Sequence, residues 1–394
     1  MAGNRWTILS VLFLARTAMG FQFQAVASTA PFLIRDLHIG YATVGTLIGL
    51  YMLPGVAVAY PGGLLSRRLG DKAICAAGLT LMMVGGALMG QGHSASAMVA
   101  GRVLSGSGAV LFNLVLTKMT TDWFAGREIV LAMGVVLASW PFGIAAGLLL
   151  QPPVAAAAGW RWVMYATAAV AAVALLLVGR FYRAPPGASL PVHDPGGVPS
   201  VPPCRQSVPA MIAGAIWGNL NLALVLFFSF GPAAMMEHGV AQGIARGWTG
   251  AALWIVMFSV PLGGVVVQRS GRPGGAIVVF SGLGALALAL LPVGIAAPAL
   301  GAAFGVSIGP PAGAIMALPA RVLAPEHRAG GLGLFMTWYY AIQSLGPAGA
   351  GMLRDAFGTA AAPIWLAAAL MAGIVPLLAM FEIVAARAQA RDAQ

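Results

Sequence analysis

Twelve stretches of about 20 mostly apolar residues, set apart by short polar breaks, constrain this chain more than any other feature. A run of that length, wound as a helix, matches the hydrocarbon thickness of a bilayer. A helix also satisfies its own backbone hydrogen bonds where no water is present. The stretches fall near 7–34, 42–64, 73–91, 97–118, 128–150, 160–181, 209–235, 247–267, 275–294, 296–321, 330–353 and 358–384. The spacing therefore predicts an all-α membrane protein with twelve transmembrane helices. The break between the ninth and tenth is the shortest and is expected around Ala296–Pro298. The first run is too long for the apolar core of a cleaved leader and carries Arg16 inside it, so it reads as a retained first helix.

Composition agrees. Charged residues make up 8% of the 394, where a soluble domain needs about a quarter. The formal charge of +11 comes from cations scattered singly between apolar runs, not from basic clusters, so nucleic acid is not expected as a partner. Cytoplasmic loops are enriched in Lys and Arg, and the cations here sort accordingly. With the N-terminus inside, fifteen of the 21 fall in cytoplasmic segments and four (Arg35, Arg161, Arg246 and Arg354) in external ones. Arg16 and Arg102 are left within the membrane. Both termini are thus expected on the cytoplasmic side of an inner membrane. Trp6, Trp123 and Tyr182 on one side, with Tyr41, Trp160, Trp162 and Trp248 on the other, read as interfacial aromatic belts. The two cysteines, Cys75 and Cys204, give no disulfide framework or metal site.

Residues 182–208 carry seven prolines and read as an extended cytoplasmic linker. It separates a six-helix bundle over 1–181 from a second over 209–394 that ends in a short cytoplasmic tail. The two bundles are repeats. Gly63, Arg68 and Gly70 after helix two recur as Gly264, Arg269 and Gly271 after helix eight, each pair 201 positions apart. The same offset relates Asp36 to Glu237 and Arg127 to Arg328. Pseudo-symmetric halves of this kind place a substrate site at the repeat interface near the bilayer midplane.

The loop after helix two reads Gly63-Leu-Leu-Ser-Arg67-Arg68-Leu-Gly70-Asp71-Lys72, and its repeat Gly264-Val-Val-Val-Gln268-Arg269-Ser-Gly271-Arg272-Pro273. Helix four carries Arg102-Val-Leu-Ser-Gly106-Ser-Gly108, and Gly159-Trp160-Arg161-Trp162 enters helix six. On these motifs the chain resembles the major facilitator superfamily (MFS) over nearly its whole length. The resemblance implies the MFS fold and a conformational role for Gly63, Arg68, Gly70, Asp71, Gly264, Arg269, Gly271 and Arg272. The family's signature loop carries an acid where Arg67 and Gln268 stand here, which puts its cytoplasmic latch in doubt unless Asp71 supplies a shifted partner. Helix one, with Arg16 inside and a Thr29-Ala30-Pro31 exit, also resembles the cyanate, nitrate and nitrite permease branch.

Charges inside a membrane are costly and mark function. Arg16 lies about ten residues into helix one, roughly 15 Å deep. It either snorkels to the headgroups or pairs with a helix end, or it forms a cationic centre in the translocation cavity. A guanidinium fork matches carboxylates and other planar oxyanions. Arg102 either bonds backbone carbonyls of neighbouring helices or is a second cavity charge, and Asn113 shares its helical face. Arg16, Gly20 and Phe23 share one face of helix one; Trp217, Asn221 and Leu224 share the equivalent face of helix seven. Helix eleven adds Tyr339, Tyr340, Gln343 and Ser344. The candidate substrate-binding set is therefore Arg16, Phe23, Arg102, Asn113, Trp217, Asn221, Tyr339, Tyr340 and Gln343, although ordinary interhelical bonding accounts equally well for any one of the aromatic and amide side chains. Small residues recur every fourth position at Gly301, Gly305, Gly309 and Gly313, and again at Gly101, Ser105 and Ala109. With the prolines at 141, 310 and 311, they read as close-packed, kinked helices suited to gating.

The ten acids and five histidines all fall in loops, tails or helix ends, so no titrating group sits near the midplane. No phosphate-cradling loop and no catalytic cluster is present, so neither enzyme activity nor a cofactor is expected. The reading is a secondary transporter, expected as a monomer in the lipid bilayer. It moves a small anionic solute, an organic carboxylate or inorganic oxyanion, by rocker-switch alternating access through exchange or facilitated diffusion. An exporter of amphipathic or aromatic compounds is the alternative, and a non-transporting sensor or scaffold is a third.

Overall fold

Residues 4–57, 69–124, 128–183, 202–294, 296–324 and 327–392 are described by the computed structural model of the chain. Among them run twelve helices and no strand. The first six are α1 (Arg5–Leu37), α2 (Tyr41–Leu50, resuming to residue 57), α3 (Asp71–Gln91), α4 (Ala95–Phe124), α5 (Ile129–Ala158) and α6 (Trp160–Phe181). The second six are α7 (Cys204–Met236), α8 (Gln242–Ser270), α9 (Pro273–Leu290), α10 (Ala297–Ala317), α11 (Arg328–Phe357) and α12 (Ala361–Asp392). Ten of these are long and apolar enough to cross a membrane. The described part of α2 is shorter. α11 has the length, at 30 residues, but is diluted by Thr337, Tyr339, Tyr340, Gln343 and Ser344.

Local chemistry sets the ends. Asn4 caps α1 by accepting from the Trp6 amide at 3.1 Å, a side-chain acceptor for one of the orphan donors of a first turn. Within α2 the helix tightens at 51–53 because Pro54 has no N–H to return to the Leu50 carbonyl. The Met52 amide bonds the Gly49 carbonyl at 2.9 Å instead of reaching one residue further back. Gly70 and its repeat partner Gly271 both take positive φ, +82° and +64°, at the start of α3 and the end of α8. A Cβ would be strained at both, so the repeated glycine serves the turn.

The chain divides between residues 193 and 194 into two units. In the first, α1 packs on α5 and α6, α3 on α4 and α6, and α2 on α4. In the second, α7 packs on α11 and α12, α9 on α10 and α12, and α8 on α10. Adding six to each helix number converts one scheme into the other, so the sequence repeat is a structural repeat. Small residues make the contacts close. A Cβ on Gly101 would lie 2.8 Å from the Gly85 carbonyl oxygen between α4 and α3, and one on Gly305 would lie 2.7 Å from that of Ala252 between α10 and α8. Gly313 faces open space, so the last glycine of the α10 series is not part of that contact.

Three expectations shift. α7 begins at Cys204, so 204–208 belong to a helix and not to the linker; residues 184–201 lie outside the described ones. α9 ends at Leu290 in a short 3-10 turn over Leu291–Val293, earlier than the break expected at Ala296–Pro298. Trp160 and Tyr182 are buried, whereas Trp162 is 60% exposed, so only the last of these three behaves as a belt residue.

Each unit closes one end with the same device. Asp36, in the last turn of α1, accepts from the Trp160 indole at 3.2 Å, at the first residue of α6. Its repeat partner Glu237, at the end of α7, accepts from the Ala360 amide at 2.8 Å and the Thr359 hydroxyl at 2.7 Å, just ahead of α12. Both carboxylates oppose the positive end of the helix dipole, and Glu237 also satisfies an orphan backbone donor. Glu237→Ala is expected to cost roughly 1 kcal/mol. Hydrogen exchange at the first amides of α12 should then speed up by about fivefold; unchanged exchange there would contradict the clasp.

Candidate functional site

The sequence candidates fall on repeat-equivalent helix pairs. In the first unit α1 crosses α5 where Gly20 meets Gly143; a Cβ on Gly143 would lie 2.9 Å from the Phe21 amide nitrogen. One turn before that crossing, Arg16 is half-buried, and its Nη1 donates to the Val136 carbonyl on α5 at 3.0 Å. Thr17 Oγ1 donates to Phe13 at 2.9 Å and lies 3.5 Å from the Ser139 carbonyl. Pro141, inside the same helix, removes the amide that would serve the Leu137 carbonyl, next to the Val136 carbonyl that Arg16 bonds. Arg16 thus reaches a backbone carbonyl in the interior of α5, not at a helix end.

Arg102 is fully buried. Its Nε donates to the Leu47 carbonyl at 2.8 Å, Nη1 to Gln22 at 3.1 Å, and Nη2 to Phe23 at 3.3 Å and Ile48 at 3.4 Å. Its guanidinium lies 4.6 Å from the centroid of the Tyr51 ring. The acceptors on α2 exist because Pro54 breaks that helix: the Tyr51 amide goes to Ile48 at 3.4 Å, which leaves the Leu47 carbonyl to Arg102. Four hydrogen bonds from this guanidinium thus go to backbone carbonyls, the arrangement that the backbone-bonding alternative for Arg102 describes. Phe23 lies beside it, its ring centroid 6.0 Å from the guanidinium carbon. It is buried between Tyr51 and Trp140, with ring centroids 5.6 and 5.3 Å away, and acts as packing beneath Arg102. Asn113 is half-buried on α4.

In the second unit the equivalent pair, α7 and α11, gathers the remaining candidates. Trp217 and Tyr339 have ring centroids 6.4 Å apart, and Tyr339 meets Tyr340 edge-on at 4.9 Å. Asn221 donates back to the Trp217 carbonyl at 2.8 Å, and buried Gln343 donates across to Gly218 at 3.3 Å. Arg16 and Trp217 occupy equivalent repeat positions. One reaches backbone on its partner helix, and the other reaches an aromatic ring.

Sequence reasoning missed three participants. Tyr51 donates to the Met19 carbonyl at 3.3 Å and lies 3.4 Å from Gln22 Oε1; Gln22 Nε2 donates to Met82 at 2.8 Å; Asn219 donates to Leu370 at 3.4 Å. Gln22 was discoverable as an amide inside an apolar run. Nothing marked Tyr51, because its partner Arg102 is 51 positions away.

Of the signature-loop residues, Gly63 and Arg68 lie outside the described ones. Asp71 opens α3 and pairs with Lys118 of α4, which also holds Asp122 at 3.0 Å. Beside this pair Lys72 donates to the carbonyls of Gly179 and Tyr182 at 2.9 Å each, tying α3 to the end of α6. Burial first, then the carboxylates of Asp71 and Asp122, push the Tyr182 phenol above its ordinary value, so it stays neutral. In the second copy Gly264 is half-buried and Arg269 and Arg272 are exposed around the Gly271 turn. Among the described residues no group of acids, histidines and cysteines is placed to hold a metal ion.

The comparisons with known proteins agree with this architecture. A bacterial homologue of the human lysosomal transporter Spinster, solved inward-facing and unoccupied, superposes with a TM-score of 0.73 at 16% identity, covering 98% of each chain. An uncharacterized MFS-type transporter of Mycobacterium tuberculosis is 27% identical over 188 residues, 46% of this chain. The MFS efflux transporter aclA of Aspergillus oryzae is 28% identical over 171 residues, 43% of this chain. These matches span about a third of the curated relatives, 32% of the first and 31% of the second. The family model described as Major Facilitator Superfamily matches residues 12–347, from α1 into α11 and across both repeats. With its paired six-helix units and that match, the chain is a multi-pass membrane protein belonging to the Major Facilitator Superfamily, a family of transporters.

Proposed function

We propose that this protein is a secondary transporter of a small anion, an organic carboxylate or inorganic oxyanion, working by rocker-switch alternating access. The observation that carries the reading is the half-buried Arg16 guanidinium on α1, held by the Val136 carbonyl at 3.0 Å. That carbonyl orients the guanidinium, whose planar fork matches carboxylates and other planar oxyanions. Charged groups in the membrane interior mark ion and substrate pathways. Most described acids sit at or near helix ends, such as Glu128 paired with Arg5 at 3.0 Å, and Glu382, within α12, is paired with Arg321 at 2.7 Å. Among the described residues this distribution favours exchange or facilitated diffusion over coupling through a titrating carboxylate.

A second reading, export of amphipathic or aromatic compounds, is favoured by the Trp217–Tyr339–Tyr340 cluster with its flanking amides, and by the efflux names of matched relatives. Counterflow in proteoliposomes separates the two. Monocarboxylates, oxalate-like diacids, cyanate, nitrate and nitrite should include at least one exchanged solute under the first reading. Exchange of none, alongside movement of an aromatic dye, would replace it with the second. We also place both termini on the cytoplasmic side of an inner membrane, with the protein a monomer. The free, exposed Cys204 at the start of α7 then reacts with an impermeant maleimide in inside-out vesicles only; labelling in right-side-out vesicles would reverse the orientation.

A further inference from the structure

Beyond the Gly20–Gly143 crossing, the α1–α5 contact becomes polar. Gln24 on α1 and Gln151 on α5 are each 1% exposed. Both amide atoms of Gln24, and Oε1 of Gln151, are buried with no hydrogen-bond partner. Gln151 Nε2 is used, donating to the Phe21 carbonyl at 2.7 Å. Gly147 sits between the two side chains. The point where its Cβ would lie is 3.0 Å from Gln24 Cβ and from Gln151 Nε2, and 3.1 Å from Gln151 Oε1. Ser28 Oγ, one turn along α1, reaches the Gly147 carbonyl at 3.5 Å. Four residues from two helices thus meet at one polar contact, and three amide atoms there have no hydrogen-bond partner.

Buried amides without partners are costly, and native interiors resolve the cost with ordered water. We propose that this contact is a buried water site, with the Gln24 amide and Gln151 Oε1 as its protein partners. The unsatisfied set decides the ligand class. However the Gln24 amide is turned, it offers one donor and one acceptor, and Gln151 adds an acceptor. Two acceptors oppose an anion. A cation would leave the Gln24 N–H group orphaned. Water both donates and accepts, and it carries no charge. The glycine supplies the room: a Cβ at residue 147 would press on both glutamines. The pair α1–α5 therefore has a dry, backbone-close crossing at Gly20 and a wet joint one to two turns further on, where hydrogen bonds can exchange as the helices adjust.

Two measurements test the site. In a density map of the intact protein fine enough to show ordered solvent, a water is expected within hydrogen-bonding distance of both Gln24 and Gln151; a dry contact, or an ion there, overturns the proposal. The second is a double-substitution cycle in detergent with Gln24→Met, Gln151→Met and both together. A shared water predicts that Gln24→Met lowers the melting temperature by about 2 °C or more, and that the double variant loses less than the sum of the singles. A raised or unchanged melting temperature for Gln24→Met, or strict additivity, overturns it. The density map stands independently if a methionine variant does not fold.

Discussion

Arg102→Ala is expected to remove most of the folded protein recovered from membranes, and Arg102→Lys to rescue it only in small part. The alanine variant deletes four donated hydrogen bonds in a site with no access to water. The Leu47 carbonyl loses Arg102 Nε, and the amide that would serve it in a regular helix is committed to Ile48. A buried acceptor left bare costs about 1–3 kcal/mol, and a vacated side-chain volume of this size adds roughly 2–5 kcal/mol. Together these approach the whole of an ordinary stability of about 5–15 kcal/mol. Lysine restores the charge but not the planar fork, so it can reach α1 or the α2 bend but not both. Melting in detergent, followed by size-exclusion chromatography, measures this. An Arg102→Ala protein that elutes as a single species and melts within about 2 °C of the wild type would show that the carbonyl cage is dispensable.

That cage also marks where sequence reading stops. Arg102 could be placed on α4 and given two roles, but choosing between them required the break in α2, and the break depends on Pro54 acting three to seven residues upstream. The repeat was legible because it preserves chemistry at one offset: Asp36 and Glu237 each hold the N-terminus of the sixth helix of their unit, and Gly70 and Gly271 each take positive φ. The orientation of aromatic residues was not legible. In a soluble helix the polar face names the buried one. In a membrane the lipid-facing side is as apolar as the core, so Phe23, Trp160 and Trp162 look alike in the sequence although the first two are buried and the third is exposed. Helix ends suffered from a related problem. The start of α7 lies in polar residues 204–208, because helix geometry continues past the apolar stretch that reveals it. Gln22 and Gln24 were the overlooked signal: amides in an apolar run, both buried, one fully bonded and one awaiting a partner.

Arg16→Ala is expected to lower the rate of anion counterflow by roughly 10–100-fold while leaving the protein folded. The size follows from losing one charge-assisted contact to the solute, about 1.5–3 kcal/mol, at about 1.4 kcal/mol per factor of ten. The fold should tolerate the change because the Val136 carbonyl keeps a second donor, the Ser139 hydroxyl. Here Arg16 differs from Arg102: one engages a carbonyl that has another partner, the other a carbonyl that does not. Arg16→Lys separates charge from shape. If the solute needs only a positive charge, lysine retains most of the transport; if it is gripped in the plane of the fork, lysine fails nearly as badly as alanine, which narrows the solute to carboxylates and planar oxyanions. Melting temperature must be read beside the rate, since a loss of transport that tracks a loss of folded protein says nothing about the solute. Counterflow at wild-type rates in both variants, with wild-type melting, would remove Arg16 from the transport path and leave the aromatic cluster of α7 and α11 as the stronger lead.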